Sequence, residues 1–428
     1  MKTILLLGAG KSATVLIDYL MAVAEAEKWK FIIADNNKEQ ILAKTKNSKF
    51  AEAVELDINN EFKRSKLIQR AHVVISMMPP SFHFLIAKDC VEYRKHLLTA
   101  SYVDHKIKSL EQEIKQKKLL FLCEMGLDPG IDHMSAMKII DAIKLNGGTV
   151  SSFKSHCGGL VAPESDNNPW HYKISWNPRN VVLAGMSGAE YKTDNKIEHK
   201  DYKELFSDCN EVTIDTVGNL SMYPNRDSLS YMPVYKLENA ASFIRTTLRY
   251  PDFCIGWNAI VQADLTNDAI QLKPAGLSFQ QWSQPVLPFV NDTNKSILSF
   301  LGLFDELPVP VTAKTSADVL QYLLESKLAM QPQDKDMIVM LHEIEFVTAA
   351  GKKKKIESSL VVIGEDSLRT AMAKTVGLPL GIAAKLILND QIKLSGVHIP
   401  ILKEIYNPVL DELQKNGIIF SEKEIDLD

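Results

Sequence analysis

Gly8 and Gly10 stand directly after Ile4-Leu5-Leu6-Leu7, and Asp35 ends the apolar run Phe31-Ile32-Ile33-Ala34. Residues of these types, in this order, suit one chemistry above others. Glycines let the backbone turn tightly and approach a pyrophosphate, and a following helix places its N-terminus against that charge. Gly10, Lys11, Ser12 and Ala13 open such a helix, and Val15, Leu16, Tyr19, Leu20 and Val23 mark one apolar face of it. An acid at the position of Asp35 accepts hydrogen bonds from an adenosine ribose. The pattern predicts a dinucleotide site; its bland alternative is a strand-turn-helix unit with incidental glycines. Gly10-Lys11-Ser12 also resembles the end of a phosphate-binding P-loop. That motif needs a glycine where Leu5 stands, so an NTPase reading fails.

Three further groups have chemical potential. Asp128-Pro129-Gly130 lies in the stretch Glu124 to His133. Aspartate followed by proline is a good helix start, and the same aspartate can contact a ligand. Arg226 sits in a turn-like segment, Pro224 to Ser228. Arg245 and Arg249 lie four apart and share a face on a helix or on a strand. Arginine forks bind carboxylates in bidentate fashion, and the alternative is structural ion pairing.

The elements that must position these groups follow from apolar runs. Ile4–Leu7, Phe31–Ala34, Ala53–Leu56, Val73–Ser76, Leu97–Ala100 and Leu119–Cys123 are short, with amphipathic stretches between them. That alternation predicts an α/β fold with a Rossmann-type doubly wound parallel sheet, whose ligands lie beyond the strand ends. Asp57, Met77 to Pro80, Ser101-Tyr102 and Glu124 to Asp128 occupy such ends. From about Val150 the texture changes. Ser151 to Cys157 reads as a strand entering Gly158-Gly159. The polar, aromatic stretch from Pro163 to Asn180 reads as a binding loop or a decorated surface loop. Residues 258–330 look mainly helical. Asp336 to Thr348 and Ser359 to Ile363 look like strands flanking a solvated Lys352–Lys355 turn, and Asp366 to Leu388 is a long helix.

Composition narrows the classes. The chain has 428 residues, a net charge of -4 and 46% hydrophobic content, so nothing electrostatic favours nucleic acid or an anionic membrane. Five scattered cysteines without a C-x-x-C pair indicate neither zinc nor a disulfide framework, and no metal is expected. Apolar runs fall well short of the ~18 residues of a membrane span. A cytoplasmic location is expected.

Many ordered motifs resemble the glutamate-forming saccharopine dehydrogenase (saccharopine reductase) family. They are Leu7-Gly8-Ala9-Gly10, Ala100-Ser101-Tyr102, Gly126 to His133, Cys157-Gly158-Gly159-Leu160, Ala162-Pro163-Glu164, Asn168-Pro169, Tyr172-Lys173, Ser175-Trp176, Pro224 to Ser228 and Thr247-Leu248-Arg249-Tyr250. Late segments, including Lys335 to Met340 and Ala371 to Pro379, are similar as well. The resemblance implies three domains. Residues 1–127 form the cofactor domain, with a C-terminal return at about 366–428. Residues 128–257 and 331–365 form a mixed α/β substrate and dimer domain, and 258–330 a small helical insertion. The implied reaction converts saccharopine, NAD(P)+ and water to L-glutamate, 2-aminoadipate 6-semialdehyde and NAD(P)H.

Carried over by motif, Ser101, Tyr102, Asp128, Arg226, Thr247, Leu248 and Arg249 contact saccharopine. Asp128 holds or relays the amine proton, and Tyr102 and Cys157 are the other titratable groups. Gly8, Gly10, Lys11, Ser12, Ala13, Asp35, Asn36, Asp57, Ile58, Met78, Ser101 and Trp176 contact the cofactor. Val161, Trp170 and Arg245-Thr246 depart from the usual family residues and are expected at the pocket rim. Fungal relatives place an arginine after the second strand, where this chain has Asp35-Asn36-Asn37-Lys38. An ionised Asp35 repels a 2′-phosphate, so NAD is expected over NADP, with Lys38 the residue that would oppose that preference. A homodimer is implied. Rival readings are a carboxylated-polyamine dehydrogenase, for example one acting on carboxynorspermidine, and a dinucleotide sensor without turnover. The first calls for acids rather than paired arginines.

Overall fold

A parallel strand covered on both faces reads as a near-continuous apolar run; five of the six runs above are buried in this way, and the sixth, Ala53–Leu56, belongs to a half-buried strand at the sheet edge. The computed structural model describes residues 1–46 and 48–427. They are β1 (Thr3–Leu7), β2 (Lys30–Asp35), β3 (Ala51–Glu55), β4 (Val73–Ser76), β5 (His96–Thr99) and β6 (Leu120–Leu122). A return strand, Gly396–His398, joins β6. Among the described residues these form a seven-stranded parallel sheet, in the order return strand, β6, β5, β4, β1, β2, β3. The order reverses at β1 and β4, the switch point at which doubly wound sheets bind ligands. Leu5, Leu7, Ile32, Val74, Leu97 and Phe121 are wholly buried within it.

Helix α1 (Thr14–Glu27) follows the glycine turn, and α2 (Lys38–Thr45) follows β2. The long helix Ala371–Leu388 packs on α1. Gly377 and Gly381 make that approach possible, because a Cβ at Gly377 would stand 2.9 Å from Leu16 Cβ. Ala371–Leu388 is long and apolar enough to cross a membrane by length and composition alone. Its burial is 83% inside the protein, as for the core helix of a soluble fold.

The chain divides into two compact units. The first comprises Met1–Ala142 and Leu368–Ile419, and the second Ile143–Ser367 with the segment from Phe420. The dividing lines fall away from the sequence reading in two places. The helix start after Asp128 belongs to the first unit, and the strand Ser421–Asp426 pairs with Lys353–Ile363 in the second. Helices of the 258–330 region lie inside the second unit.

The second unit is built on a mixed sheet. Asn210–Ile214, Gly218–Pro224, Ser242–Arg249, Thr149–Val161, Asp336–Val347, Lys353–Ile363 and Ser421–Asp426 follow one another across it. Two elements differ from expectation. The strand from Thr149 runs straight through Gly158 and Gly159 to Val161. Glycine is needed there, since a Cβ on Gly158 would lie 2.5 Å from Leu248 O. Lys353, Lys354 and Lys355 are strand residues, not turn residues, and the turn is Thr348 to Lys352. Acids around the strand explain this: Lys354 pairs with Glu424 on the neighbouring strand, and Lys355 with Glu357 two residues along its own strand and with Glu343 on the strand opposite.

The Pro163–Asn180 stretch is also resolved. Trp170 is fully buried, and its Nε1 donates to Ile297 O at 2.8 Å. It packs with Tyr172, Phe253 and Trp257 in the aromatic core of the unit. The expectation of a rim position for Trp170 is therefore corrected: its ring supplies apolar burial. Val161 is likewise fully buried, and Arg245 is buried over the Tyr231 ring at 4.7 Å.

Candidate active site

In the first unit the glycine turn is held from several sides. Gly8 has φ +97°, and a Cβ there would meet the Met77 carbonyl at 3.0 Å and Met78 Sδ at 3.3 Å. Gly10 has an ordinary φ of -62°, and a Cβ there would meet nothing within 4 Å. Neither backbone strain nor neighbouring atoms require glycine at 10. A close-approaching pyrophosphate does, so the turn fits a dinucleotide.

Asp35 fastens the turn to β2. Its Oδ2 accepts from Ala9 N at 2.7 Å and its Oδ1 from Asn37 N at 3.1 Å. From α2, Lys44 Nζ donates to Ala9 O at 2.7 Å and also to Gly10 O, while Gln40 Nε2 donates to Ala9 O at 2.9 Å. Burial draws the Lys44 ammonium down to about 8, against the opposing pull of Asp35 and Asp18. Sequence reading found Asp35 and missed Gln40 and Lys44. Their i, i+4 spacing on a helix after the acid is the signal that was available.

Other cofactor candidates divide by exposure. Lys11, Asn36 and Asp57 are exposed, and Ser12 and Met78 are partly buried. Ala13 and Ile58 are buried, 1% and 6% exposed. The Ile58 carbonyl accepts from Arg64, whose Nε lies 2.6 Å from Asp89.

Ser101, Tyr102 and Asp128 come from adjacent segments. Met125 N donates to Thr99 O, and Glu124 N to Ser101 O, both at 3.0 Å. Ser101 Oγ lies 2.8 Å from His83 Nε2, whose Nδ1 is 2.9 Å from Ser76 Oγ. Burial pushes the His83 imidazole down to about 4, so it is neutral near pH 7. Sequence reading missed His83 and the buried Glu124–His133 pair. Glu124 Oε1 accepts from Val103 N at 3.1 Å, and Oε2 lies 2.9 Å from His133 Nε2. Asp132 Oδ1 accepts from Gly130 N at 2.6 Å, closing the turn that carries Asp128 after a cis Asp128–Pro129 bond. Residues nine apart at a strand-helix junction leave no periodic trace, which is why these contacts were invisible.

In the second unit, Cys157, Thr247 and Arg249 gather on paired strands. Thr247 is in register with Cys157, and Ser221 with Arg249. Arg249 is only 5% exposed. Its Nη1 donates to Leu248 O at 2.8 Å, and its Nε has no hydrogen-bond partner. The guanidinium lies 5.4 Å from the Tyr172 ring and 5.3 Å from the Phe253 ring. Tyr223, Tyr172, Cys254 and Cys157 are its electrostatic neighbours, and no ion pair to it occurs among the described residues. Burying an isolated charge is costly, so such an arginine is built for an anion.

Leu248 departs from expectation. Its side chain is wholly buried with Leu160, Met337 and Val339, and only its carbonyl serves the site through Arg249. Arg226 is exposed with φ +54°, next to a backbone bond from Asn225 N to Arg245 O. Trp176 Nε1 donates to Tyr172 Oη at 3.2 Å.

A Rossmann-type unit with a dinucleotide turn and a mixed-sheet unit with a buried arginine define the class. Residues 4–122 match the family model described as saccharopine dehydrogenase NADP binding domain, and residues 126–418 that of the saccharopine dehydrogenase C-terminal domain. The chain belongs to the saccharopine dehydrogenase family. It is 31% identical over its whole length to saccharopine dehydrogenase [NADP(+), L-glutamate-forming] of Schizosaccharomyces pombe, all of which it covers. The apo saccharopine dehydrogenase (L-Glu forming) structure from Saccharomyces cerevisiae superposes with a TM-score of 0.89 at 31% identity, covering 99% of this chain and 100% of that one. Alpha-aminoadipic semialdehyde synthase of Arabidopsis thaliana is 36% identical over 87% of this chain. The chain spans 38% of that relative and less than half of its mouse counterpart.

Proposed function

We propose that the protein is a saccharopine dehydrogenase. It oxidises saccharopine with a nicotinamide dinucleotide and water, releasing L-glutamate, 2-aminoadipate 6-semialdehyde, the reduced dinucleotide and a proton. The observation that carries this reading is Arg249, a buried guanidinium with an unpartnered Nε and, among the described residues, no acid paired with it. A tricarboxylate substrate supplies the missing anion, and a polyamine substrate would meet repulsion there. The glutamate-forming relatives act on saccharopine by name, and the chain covers them fully.

The dinucleotide, when bound at the Gly8–Ala13 turn, accepts hydride. The protein's own residues handle charge and protons. Arg249 and the exposed Arg226 hold carboxylates, and Thr247 lies beside Arg249 on the same strand. Loss of hydride from the carbon bearing the neutral secondary amine leaves an iminium ion. Water adds to that carbon, and the carbinolamine collapses when its nitrogen is protonated and the C–N bond breaks. Asp128 is the group we assign to the amine proton, and Tyr102 lies between Ser101 and Val103 in the segment that Glu124 braces. Cys157 lines the arginine side as a thiol. The relatives with a cofactor in their names carry NADP(+), whereas Asp35 favours NAD. We propose that both are accepted.

The test is reduction of NAD+ or NADP+ by the purified chain, with saccharopine and with carboxynorspermidine. Turnover with saccharopine alone is expected. Reduction with neither dinucleotide would overturn the reading, and reduction with carboxynorspermidine instead would favour the polyamine alternative.

A further inference from the structure

Asp35 and Lys44 both bond the Ala9 backbone, the first through its N–H and the second through its carbonyl, and only the first is expected from the usual dinucleotide pattern. Asp35 has both oxygens engaged by backbone N–H groups, at 2.7 Å from Ala9 and 3.1 Å from Asn37. Lys44 has two bonds, to Ala9 O and Gly10 O. An ammonium carries three N–H donors, so one is left over. Asp35 and Asp18 are the charges that act on Lys44, and together they do not offset its desolvation. An added anion nearby would be favourable to that ammonium.

Asp35 stands where the adenosine ribose is recognised. A carboxylate there repels a 2′-phosphate when it acts alone. Lys44, on which the Asp35 charge acts, brings a compensating positive charge to the turn. Lys38 is a poorer candidate for this compensation. It is exposed at the start of α2, where an ammonium is screened by water, and among the described residues no bond ties it to the turn.

We propose that Lys44 sets the 2′-phosphate acceptance of this protein, acting as a specificity-determining residue that lets a chain with Asp35 bind NADP as well as NAD. The proposal rests on the nicotinamide-dinucleotide reading above. It also makes Lys44 responsible for two separable jobs: fixing the turn through two carbonyls and facing the phosphate with its remaining donor.

The experiment is direct binding to the full chain, without saccharopine. NADPH and NADH are titrated by fluorescence, and 2′,5′-ADP by calorimetry, for the wild type, Lys44→Met, Lys44→Arg and Lys38→Met. Loss of a charge-assisted phosphate contact is expected to weaken NADPH and 2′,5′-ADP by about tenfold or more in Lys44→Met. NADH should weaken by less than about threefold on the same scale. Lys44→Arg should retain NADPH binding, and Lys38→Met should leave the NADPH-to-NADH ratio unchanged. Equal weakening of NADPH and NADH in Lys44→Met would overturn the proposal, because it would leave Lys44 only the task of holding the turn. A ratio that moves in Lys38→Met and not in Lys44→Met would overturn it too. Should Lys44→Met fail to fold, the salt dependence of the wild type decides. NADPH affinity must fall more steeply with salt than NADH affinity, and parallel slopes contradict the proposal. Failure of the wild type to bind either dinucleotide would instead sink the cofactor reading, and this proposal with it.

Discussion

Two buried arginines, one in each unit, are completed differently. Arg64 is 2% exposed, with Asp89 at 2.6 Å and the Ile58 carbonyl at 2.7 Å. Arg249 is 5% exposed, with one backbone carbonyl and two aromatic rings but no carboxylate among the described residues. Burial alone therefore says little about role. An arginine whose counter-charge is supplied by the fold is part of the fold, and one without it needs an anion from outside. The comparison separates stability from function, and it can be broken.

The largest expected effect is on catalysis. Arg249→Met should lower kcat/KM for saccharopine by about a thousandfold, roughly 4 kcal/mol, measured by steady-state reduction of the dinucleotide. A loss below about tenfold would place Arg249 with Arg64 as a fold element. Arg64→Met is expected to behave in the opposite way. Leaving Asp89 buried and unpaired should cost about 3 kcal/mol, read as a lower denaturant midpoint, with saccharopine KM unchanged in the fraction that folds. A variant as stable as the wild type would remove the contrast.

A smaller effect is expected from Gly158→Ala. Its Cβ would press on Leu248 O, the carbonyl that Arg249 Nη1 uses. Overpacking of this kind costs roughly 2 kcal/mol, and KM for saccharopine should rise while dinucleotide affinity holds. Rising KM for both ligands would show a general distortion instead.

The smallest expected effect is in the first unit and depends on pH. Burial holds His83 at about 4 in the fold, below its ordinary value of 6.5. The unfolded chain therefore takes up the proton first as pH falls. The contribution of neutral His83 is complete above about pH 6.5 and is lost as pH falls toward 4. Its loss should be under about 1 kcal/mol by pH 6, and His83→Asn should flatten the slope of stability in that window. An unchanged slope would contradict the neutral assignment.

The first unit was the more legible in sequence, for physical reasons. The inner strands of its parallel sheet are buried and read as apolar runs, from Ile4–Leu7 to Leu119–Cys123, while Ala51–Glu55 at the edge is half-buried. The glycine turn and its acid are local motifs. Lys44 and Gln40 escaped because they act through a helix on backbone carbonyls, and Glu124 and His133 because their pairing depends on the path of the chain at a turn. The second unit was harder. Trp170 stands in a polar stretch, and aromatic residues in such company read equally as a binding surface or as a core. Arg245 and Arg249 share a strand face, yet only the structure shows that Arg245 stacks on Tyr231 while Arg249 lacks an acid. Lys353 to Lys355 looked like a turn because acidic partners such as Glu343 and Glu424 lie on strands not recognisable as neighbours from spacing.

The account's central claim is that the unmatched charge of Arg249 is matched by a substrate carboxylate. Thermal unfolding of the wild type and Arg249→Met, with and without saccharopine, tests it most directly. Without ligand, Arg249→Met should be at least as stable as the wild type, because it removes an unpaired buried charge. Saccharopine at about a hundredfold over its Kd should stabilise the wild type by about 2.7 kcal/mol and leave the variant unmoved. A variant that melts lower without ligand, yet responds to saccharopine as the wild type does, would contradict the claim.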